Sequence, residues 1–215
     1  MSYDEGYITY DIEWTPGPAA FVAAARALDA WRQPLFEAGL IGVYEDLGIG
    51  YGNLSMRCGE PGQFLISGTQ TGELAETDES HYALVTSVDI DANTVSCLGP
   101  VKASSEAMTH AAIYALDDSI GAIVHVHSKR LWSQYLDELP TTDAAIAYGT
   151  PDMAREFARL YDRTDFSETG IAVMAGHEDG LISFGFAIED AARRMLALAH
   201  QAGPAAAQNE TSGTP

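Results

Sequence analysis

The amino-acid sequence predicts one layered domain of the α/β or α+β class. Strand-like segments occur in both halves of the 215-residue chain, and helical patterns lie between them. No internal repeat is evident, and a chain of this length suits a single domain. With 47% hydrophobic residues the chain can bury a substantial core, which excludes disorder over most of its length.

Residues 1–17 are polar and contain glycine and proline, so we expect an N-terminal arm. Residues 18–38 carry apolar side chains at three- and four-residue steps, which is typical of a helix. Pro34 predicts a kink or an end of that helix just before it, with a second short helix as one continuation. We expect the domain to span residues 18–202 and a flexible tail to follow over 203–215.

The rest of the chain alternates between strand and helix patterns. Short segments rich in Ile, Val, Leu and Tyr predict strands, and three- to four-residue apolar periodicity predicts helices. Clusters of glycine and proline separate these segments. In chain order we predict strands at 49–58, 63–67, 82–89 and 94–98, a helix at 104–117, a strand at 122–126, helices at 129–137 and 151–161, a strand pair at 171–175 and 180–184, and a closing helix at 188–200.

The charge balance limits the classes of partner. The chain carries 31 Asp and Glu residues against 11 Lys and Arg, a formal net charge of −20. Phosphate backbones and anionic membranes both require basic surfaces, so we expect no nucleic-acid and no membrane partner. The acidic surface is explained equally well by a salty cytoplasm or by an ordinary acidic protein.

The N-terminus and the cysteine content favour a cytoplasmic location. The first residues have neither the positive segment nor the apolar run of a signal peptide, and no apolar stretch reaches about 18 residues. Cys58 and Cys97 are the two cysteines, too few for a disulfide framework. We therefore expect a cytoplasmic protein in a reducing compartment.

The most informative motif is a pair of histidines on a predicted strand. His125 and His127 are two residues apart, so both imidazoles point to the same face of the strand. Neutral histidine nitrogens are zinc ligands, and a divalent metal would accommodate two adjacent imidazoles. The spacing alone is also compatible with two unrelated histidines at a strand end.

A third histidine makes a metal site more specific. His177 ends the predicted strand 171–175 and precedes a tight polar turn, whereas His81 and His200 lie in solvated contexts. Strand ends are where sites assemble, so we predict His177 as the third ligand. Three histidines leave an open coordination position, which is typical of a catalytic metal.

Three small-residue segments could donate hydrogen bonds to an anion. Ser104 or Ser105 is a candidate N-cap for the helix that begins there, and Glu106 in its first turn has the helix dipole as an alternative role. The loops around Gly52-Asn53 and Ser67-Gly68 are individually explained as turns. Together the three segments could supply N–H and hydroxyl donors to one phosphate.

Taken together and in this order, these segments resemble the class II aldolase/adducin family, the L-fuculose-phosphate aldolase-like proteins. The resemblance spans roughly residues 20–200. Its most specific part is the motif His-x-His-Ser preceded by a helix of the pattern Ser-Ser-Glu-x-x-x-His. The matching elements are Gly52-Asn53-Leu54-Ser55, Ser67-Gly68, Ser104-Ser105-Glu106 with His110, His125-Val126-His127-Ser128, and His177.

The resemblance implies a fold and an assembly. It implies a three-layer α/β/α fold with a central, mainly antiparallel sheet. It also implies a homo-oligomer, commonly a tetramer, with sites near the subunit interfaces. The implied ligand is a small-molecule substrate.

The resemblance also implies roles for individual residues. His125, His127 and His177 match the histidines that hold Zn²⁺, or another divalent metal such as Mn²⁺, Fe²⁺ or Co²⁺. Glu106 matches the general acid/base. The residues that match the phosphate-binding loops are Gly52, Asn53, Ser67, Gly68, Ser104 and Ser105.

The function implied is a metal-dependent lyase that cleaves or forms a C–C bond in a small hydroxy-carbonyl compound, a sugar phosphate, through a metal-stabilised enediolate. A dehydratase or a 4-epimerase of the same family is the alternative, although the epimerases typically carry Asp where Glu106 stands. A non-catalytic adducin-like interaction module is a further alternative, although such modules generally lack the metal histidines.

Two features depart from the family pattern. The third histidine is followed by Glu178 and Asp179 before Gly180, where relatives often have His-Gly. The carboxylates could bind the metal, hydrogen-bond a ligand histidine or form the turn, and we favour the turn. The nearest basic residue to the serine pair is Lys102, so a non-phosphorylated or carboxylate substrate also stays open.

Overall fold

A computed structural model describes residues 8–203 of the chain. Ten strands and six helices follow one another along these residues. In chain order they are β1 (Asp11–Pro16), α1 (Val22–Glu37), β2 (Gly42–Tyr44), β3 (Ile49–Tyr51), β4 (Asn53–Arg57), β5 (Phe64–Ser67), β6 (Tyr82–Asp89), β7 (Thr94–Gly99), α2 (Ala107–Tyr114), β8 (Ala122–His127), α3 (Lys129–Tyr135), α4 (Pro151–Arg163), α5 (Phe166–Thr169), β9 (Ile171–Val173), β10 (Gly180–Gly185) and α6 (Ile188–Gln201).

Eight of the strands form one mixed sheet. Their order is β1-β7-β6-β5-β4-β8-β10-β9, and β2 and β3 form a separate hairpin. Strands β1 and β7 are parallel, and the pairs from β7 through to β9 are antiparallel. Strand β8 lies in the middle of the sheet, between β4 and β10, which buries all six of its residues. The chain is therefore an α/β domain, as predicted.

Two apolar cores cover the two faces of the sheet. Successive residues of a strand point to opposite faces, and in β8 Ile123 packs in one core while Val124 packs in the other. Helices α2, α4 and α5 contribute to the core of Ile123, and helices α1, α3 and α6 contribute to the core of Val124. His125 and His127 share the Ile123 face, so the helices α2 and α4 lie on their side of the sheet.

The N-terminal segment differs from the expected arm. Asp11–Pro16 forms the edge strand β1, and Ile12 and Trp14 on one side of it pack against the core. Tyr10 is buried and donates its hydroxyl to the Ser104 carbonyl at 2.6 Å. Apolar and polar residues alternate over this strand, as in a strand with one buried face. Asp11 and Glu13 make the segment polar on average, which is why the sequence was interpreted as an arm. Residues 1–7 and the predicted tail from residue 204 lie outside the described residues.

Helix α1 runs through Pro34 and is not broken there. Proline lacks an N–H, so the helix loses the bond from residue 34 to the carbonyl of residue 30. Pro34 lies in the last turn, where its own carbonyl still accepts from Ala38 at 3.0 Å. The helix also begins later than expected, at Val22, because Phe21 has a left-handed backbone conformation with φ of 51°.

The predicted strand 49–58 is two strands, β3 and β4. Gly52 separates them with φ of +80°, a conformation that glycine adopts without strain. A Cβ there would lie 2.8 Å from a side-chain carbon of Ile41, so the close approach also requires glycine. Within residues 8–203, none of the helices combines the length and the apolar character needed to cross a bilayer.

Candidate metal centre

Strand β8 places two imidazoles side by side on one face of the sheet. The Nε2 atoms of His125 and His127 are 3.0 Å apart, and their rings are nearly perpendicular. Both side chains are almost fully buried, as expected at the centre of an eight-stranded sheet. Two imidazoles this close cannot both be protonated without strong repulsion, so the arrangement favours neutral rings.

His177 joins this pair from the loop between β9 and β10. Its N–H donates to the Met174 carbonyl at 3.1 Å, and its carbonyl accepts from Gly180 at 2.9 Å, which closes a tight turn. The ring lies 4.6 Å from the His127 ring and 5.1 Å from the His125 ring, between ring centres. On its other side it stacks on Tyr148, with ring centres 4.1 Å apart and planes 16° apart.

The three histidines fit a divalent metal. Their ligand atoms all lie within 4.8 Å of one another. A tetrahedral zinc site with bonds of 2.0–2.1 Å spaces its ligand atoms by roughly 3.3 Å, so a small shift of His177 would complete the geometry. Imidazole nitrogens suit Zn²⁺ and its neighbours among the transition metals, and three protein ligands leave an open position.

The backbone fixes the tautomer of His125. Its Nδ1 lies 3.0 Å from the Leu181 carbonyl oxygen, which can only accept, so Nδ1 carries the proton and Nε2 has a lone pair to offer. Burial holds the pKa of His125 well below its usual value, and the nearby His127 and His177 lower it further. The ring is therefore neutral and presents Nε2 to the cluster, which is the state that a metal ligand requires.

The opposite nitrogen of His127 contacts a residue of the hairpin β2–β3. Its Nδ1 lies 2.9 Å from the Tyr44 hydroxyl oxygen, and that oxygen lies 3.5 Å from Oδ2 of Asp179. Asp179 is buried, and burial together with Glu178 raises its pKa. The backbone of Asp179 forms the predicted turn with φ of 65°, while its carboxylate lies behind a candidate ligand. Glu178 is exposed.

Glu106 stands at the start of helix α2 and is brought to the cluster. Its Oε1 lies 3.6 Å from Nδ1 of His177, and both side chains are buried. The Glu106 N–H donates to the Ser104 hydroxyl at 3.3 Å, which holds the backbone just before the helix. A buried carboxylate beside an open metal position can accept or deliver a proton at a bound molecule.

The predicted anion-binding residues lie at different depths in the fold. Asn53 pairs with His125 across β4 and β8, so it faces the site, and its buried Oδ1 has no hydrogen-bond partner among the described residues. Ser104 and Ser105 are buried next to Glu106. Gly52 lies at the turn directly before Asn53.

The donors of Ser67 and Gly68 are engaged inside the fold. The Ser67 hydroxyl accepts from the Leu54 N–H at 3.1 Å and donates to the Leu54 carbonyl at 3.3 Å. The Gly68 N–H donates to the His81 carbonyl at 2.8 Å. Lys102 is exposed, and its ammonium lies 5.9 Å from the centre of the Trp14 ring, on the surface.

The structure also adds two tyrosines that the sequence did not single out, and it shows where Asp179 lies. Tyr44 contacts the histidine cluster through a hydrogen bond and Tyr148 through a ring stack, and the carboxylate of Asp179 lies against the Tyr44 hydroxyl. No motif marks either tyrosine, since each reaches the site by tertiary packing. From the sequence, Asp179 is a candidate metal ligand, a partner of a ligand histidine or part of the turn, and the turn is favoured.

Comparison with solved structures shows the same fold in sugar-phosphate enzymes. A sugar-phosphate aldolase from Thermotoga maritima is 18% identical with a TM-score of 0.65, over 84% of this chain and 92% of that one. An L-fuculose-1-phosphate aldolase from Thermus thermophilus is 20% identical with a TM-score of 0.60, over 83% and 90%. A further L-fuculose 1-phosphate aldolase is 20% identical with a TM-score of 0.63, over 85% and 86%.

Sequence identities of 18–20% show only a shared fold, so the family assignment depends on a match to a family model. The model of the class II aldolase and adducin N-terminal domain matches residues 46–203, which is well over half of the chain. The matched segment contains the three clustered histidines and Glu106. The chain therefore belongs to the class II aldolase and adducin N-terminal domain family.

Proposed function

We propose that this protein is a metal-dependent lyase of the class II aldolase type. It cleaves or forms a C–C bond in a small hydroxy-carbonyl compound, a sugar phosphate. The observation that carries the proposal is the convergence of three buried histidines beside the carboxylate of Glu106, 3.6 Å from His177. Burying three imidazoles and a carboxylate in one place costs hydration, which a metal and a substrate at this site would offset, and an interaction module has no use for such an arrangement.

The chemistry divides between a metal and this chain's own residues. His125, His127 and His177 would hold a divalent ion such as Zn²⁺, Mn²⁺, Fe²⁺ or Co²⁺, which would supply an electrophile for the negative charge that develops on the substrate. The carboxylate of Glu106 takes a proton from a hydroxyl group or a carbon atom of the substrate, or returns a proton to it. The buried surroundings exclude water, which strengthens these interactions and protects the carbanionic intermediate.

The phosphate of the substrate is proposed to bind at Gly52, Asn53, Ser104 and Ser105. Asn53 pairs with His125 across β4 and β8, Gly52 directly precedes it, and the two serines directly precede Glu106. The donors of this group are the side-chain amide N–H groups of Asn53, the serine hydroxyls and the backbone N–H groups, whereas Oδ1 of Asn53 can only accept. Ser67 and Gly68 shape the adjoining loop, because their hydroxyl and N–H groups are engaged in the fold. Neutral donors of this kind can cradle a phosphate without a lysine.

We also propose the architecture and assembly of the family. Helices on both faces of the sheet and the antiparallel pairs from β7 to β9 support an α/β/α arrangement around a mainly antiparallel sheet. The homotetramer, the cytoplasmic location and the identity of the metal stay predictions.

The test combines metal analysis with matched variants. Protein purified without chelator or affinity metal is expected to carry about one divalent ion per chain, and His125→Ala is expected to carry none. Glu106→Gln is expected to keep the ion and to lose turnover by about 100- to 10,000-fold, the range for removal of a general acid/base. Glu178→Gln is the matched control, since it removes a neighbouring but exposed carboxylate.

The assay decides between the reactions of the family. Sugar phosphates and their unphosphorylated analogues are screened for aldol cleavage, water elimination and epimerisation. Aldol cleavage that requires Glu106 supports the proposal, whereas elimination or epimerisation alone replaces it with a dehydratase or an epimerase. Protein that contains no metal and takes up none on titration would instead be an interaction module.

A further inference from the structure

The hairpin β2–β3 lies against the outer edge of the histidine cluster. Tyr44 at the end of β2 and Tyr51 at the end of β3 contact each other, with ring centres 4.7 Å apart. Both rings also contact His127, at 6.0 and 5.6 Å between ring centres. Of the two hydroxyls, the one on Tyr44 reaches Nδ1 of His127, while the one on Tyr51 points to the Gly39 carbonyl at 3.5 Å.

The hydrogen bond between Tyr44 and His127 has two alternative directions. If Tyr44 donates to Nδ1, the neutral imidazole carries its proton on Nε2, the nitrogen that faces His125. If Nδ1–H donates to the Tyr44 oxygen, Nε2 keeps its lone pair and can bind a metal. The tyrosine proton must then have another acceptor.

Asp179 supplies that acceptor. Its Oδ2 is the carboxylate oxygen 3.5 Å from the Tyr44 hydroxyl, on a buried side chain. An ionised carboxylate is a stronger hydrogen-bond acceptor than a neutral imidazole nitrogen, so it favours the arrangement in which the Tyr44 hydroxyl donates to Asp179 rather than to His127. The position of Asp179 is also rigid, since its carbonyl accepts from the Ser128 N–H at 2.8 Å, directly after β8.

We propose that Tyr44 and Asp179 are positioning residues that hold His127 in its metal-binding tautomer. The inference rests on the proposed function, because it assigns a role toward the same metal. Neither residue is one of the three clustered histidines. The Leu181 carbonyl accepts the Nδ1 proton of His125, and the Tyr44 hydroxyl, which donates in turn to Asp179, accepts the Nδ1 proton of His127. Such outer contacts orient ligand histidines and contribute about 10- to 100-fold to metal affinity.

The experiment measures metal affinity rather than turnover. The dissociation constant for Zn²⁺ is determined by competition with a chelator for the wild type, Tyr44→Phe, Asp179→Asn and Tyr51→Phe. Tyr44→Phe and Asp179→Asn are expected to weaken binding by about 10- to 100-fold. Tyr51→Phe is the matched control, because it removes a hydroxyl from the same hairpin, and it is expected to stay within about twofold of the wild type. Unfolding of the metal-free proteins shows whether each variant keeps its fold.

A second measurement distinguishes a changed orientation of His127 from a general loss of structure around the site. In the Co²⁺-loaded protein, Tyr44→Phe and Asp179→Asn are expected to change the visible absorption spectrum in the same way, since both release the same ligand. Wild-type affinity and spectrum in both variants would overturn the inference while leaving the metal site intact. A wild type that binds no metal would overturn the proposed function itself, and the inference with it.

Discussion

His110 illustrates how a single imidazole is kept neutral inside the fold. It is fully buried in helix α2, and its Nδ1 lies 2.7 Å from the Ser55 hydroxyl, which in turn lies 2.7 Å from the Tyr114 hydroxyl. Its Nε2 has no hydrogen-bond partner among the described residues. Burial lowers the pKa of His110 to about 3. The sequence resemblance marked this residue without giving it a role, and the structure places it beneath the site as part of the fold.

This environment predicts a pH dependence of stability. In the unfolded chain a histidine titrates near 6.5, so between pH 6.5 and about 3 the unfolded state binds a proton that the folded state does not. Stability therefore falls as the pH falls through this window, by up to about 1.4 kcal/mol per pH unit. Urea unfolding from pH 7 to 4.5 is expected to show a flatter slope for His110→Gln than for the wild type.

An exposed histidine provides the control for that slope. His200→Gln removes an imidazole from the surface of helix α6 and is expected to keep the wild-type slope. If His110→Gln, His200→Gln and the wild type all have the same slope, proton exclusion at His110 does not contribute to acid sensitivity.

Residues near the candidate site differ in how predictable they are. His125 and His127 are two positions apart in the sequence and share a strand face, so their contact follows from the period of a strand. His177 was predicted from its position at a strand end, and it lies in the cluster. Tyr44 and Tyr148 could not be predicted, because they approach from a separate hairpin and from a loop before α4.

At the scale of elements, the loop after β5 fixes the hairpin that carries Tyr44. A Cβ at Gly72 would lie 2.5 Å from the Gly42 carbonyl oxygen and 2.6 Å from the N and O atoms of Tyr51. The loop is held from the other side by buried Arg32, which donates to the carbonyls of Thr71 and Leu74. The backbone of the loop therefore packs directly against the backbone of the hairpin, with no room for a side chain at Gly72.

We expect Gly72→Ala to disturb both stability and the site. Backbone atoms cannot yield as a flexible side chain does, so a loss of about 2–3 kcal/mol in unfolding free energy is expected. Zn²⁺ binding should weaken as well, because the hairpin would move with Tyr44. Chemical unfolding and chelator competition measure the two effects.

Gly48→Ala is the control within the same hairpin. Gly48 has φ of +63° and no atom within 4 Å of the added Cβ, so only the left-handed backbone strain of about 1–2 kcal/mol applies. Its metal affinity is expected to stay within about twofold of the wild type. Equal metal affinities for Gly72→Ala and Gly48→Ala would show that the site binds metal without the close packing of Gly72 against the hairpin.

The elements themselves were predictable where local patterns dominate. The strand predicted at 82–89 is β6 as observed, and most other elements agree to within a few residues. Two of the errors occurred where a distant contact decides the outcome. Strand β1 forms because it pairs with β7, far along the chain, and β3 separates from β4 because Ile41 packs over Gly52. Neither contact leaves a local signal.

At the scale of the whole molecule, the basic residues do little to neutralise the acidic surface. Several arginines donate to backbone carbonyls instead of pairing with carboxylates: Arg32, Arg57, Arg130 and Arg194. With 31 acidic residues against 11 basic ones, most carboxylates of the chain cannot have a Lys or Arg partner of their own. Repulsion among them opposes the compact state, and dissolved salt screens it.

We therefore expect the melting temperature to rise with salt. Between 50 mM and 1 M KCl the gain is expected to be at least about 2–4 °C, which corresponds to about 1 kcal/mol in a domain of this size. Thermal unfolding across the series measures it, with sucrose of matched osmolarity as the control. A melting temperature that is indifferent to salt would exclude adaptation to a salty cytoplasm.

Strand β8 has a consequence for how this sequence can change. Ile123, His125 and His127 face the cluster side, whereas Ala122, Val124 and Val126 face the opposite core. Inserting or deleting one residue before His125 would turn the valines toward the cluster and the imidazoles into the core beneath α1 and α6. The register of this short strand therefore serves two faces at once, because one face must carry imidazoles for the cluster and the other must carry apolar side chains for the core. A change of length within β8 is therefore incompatible with the site, and point substitution is the route left open to this strand.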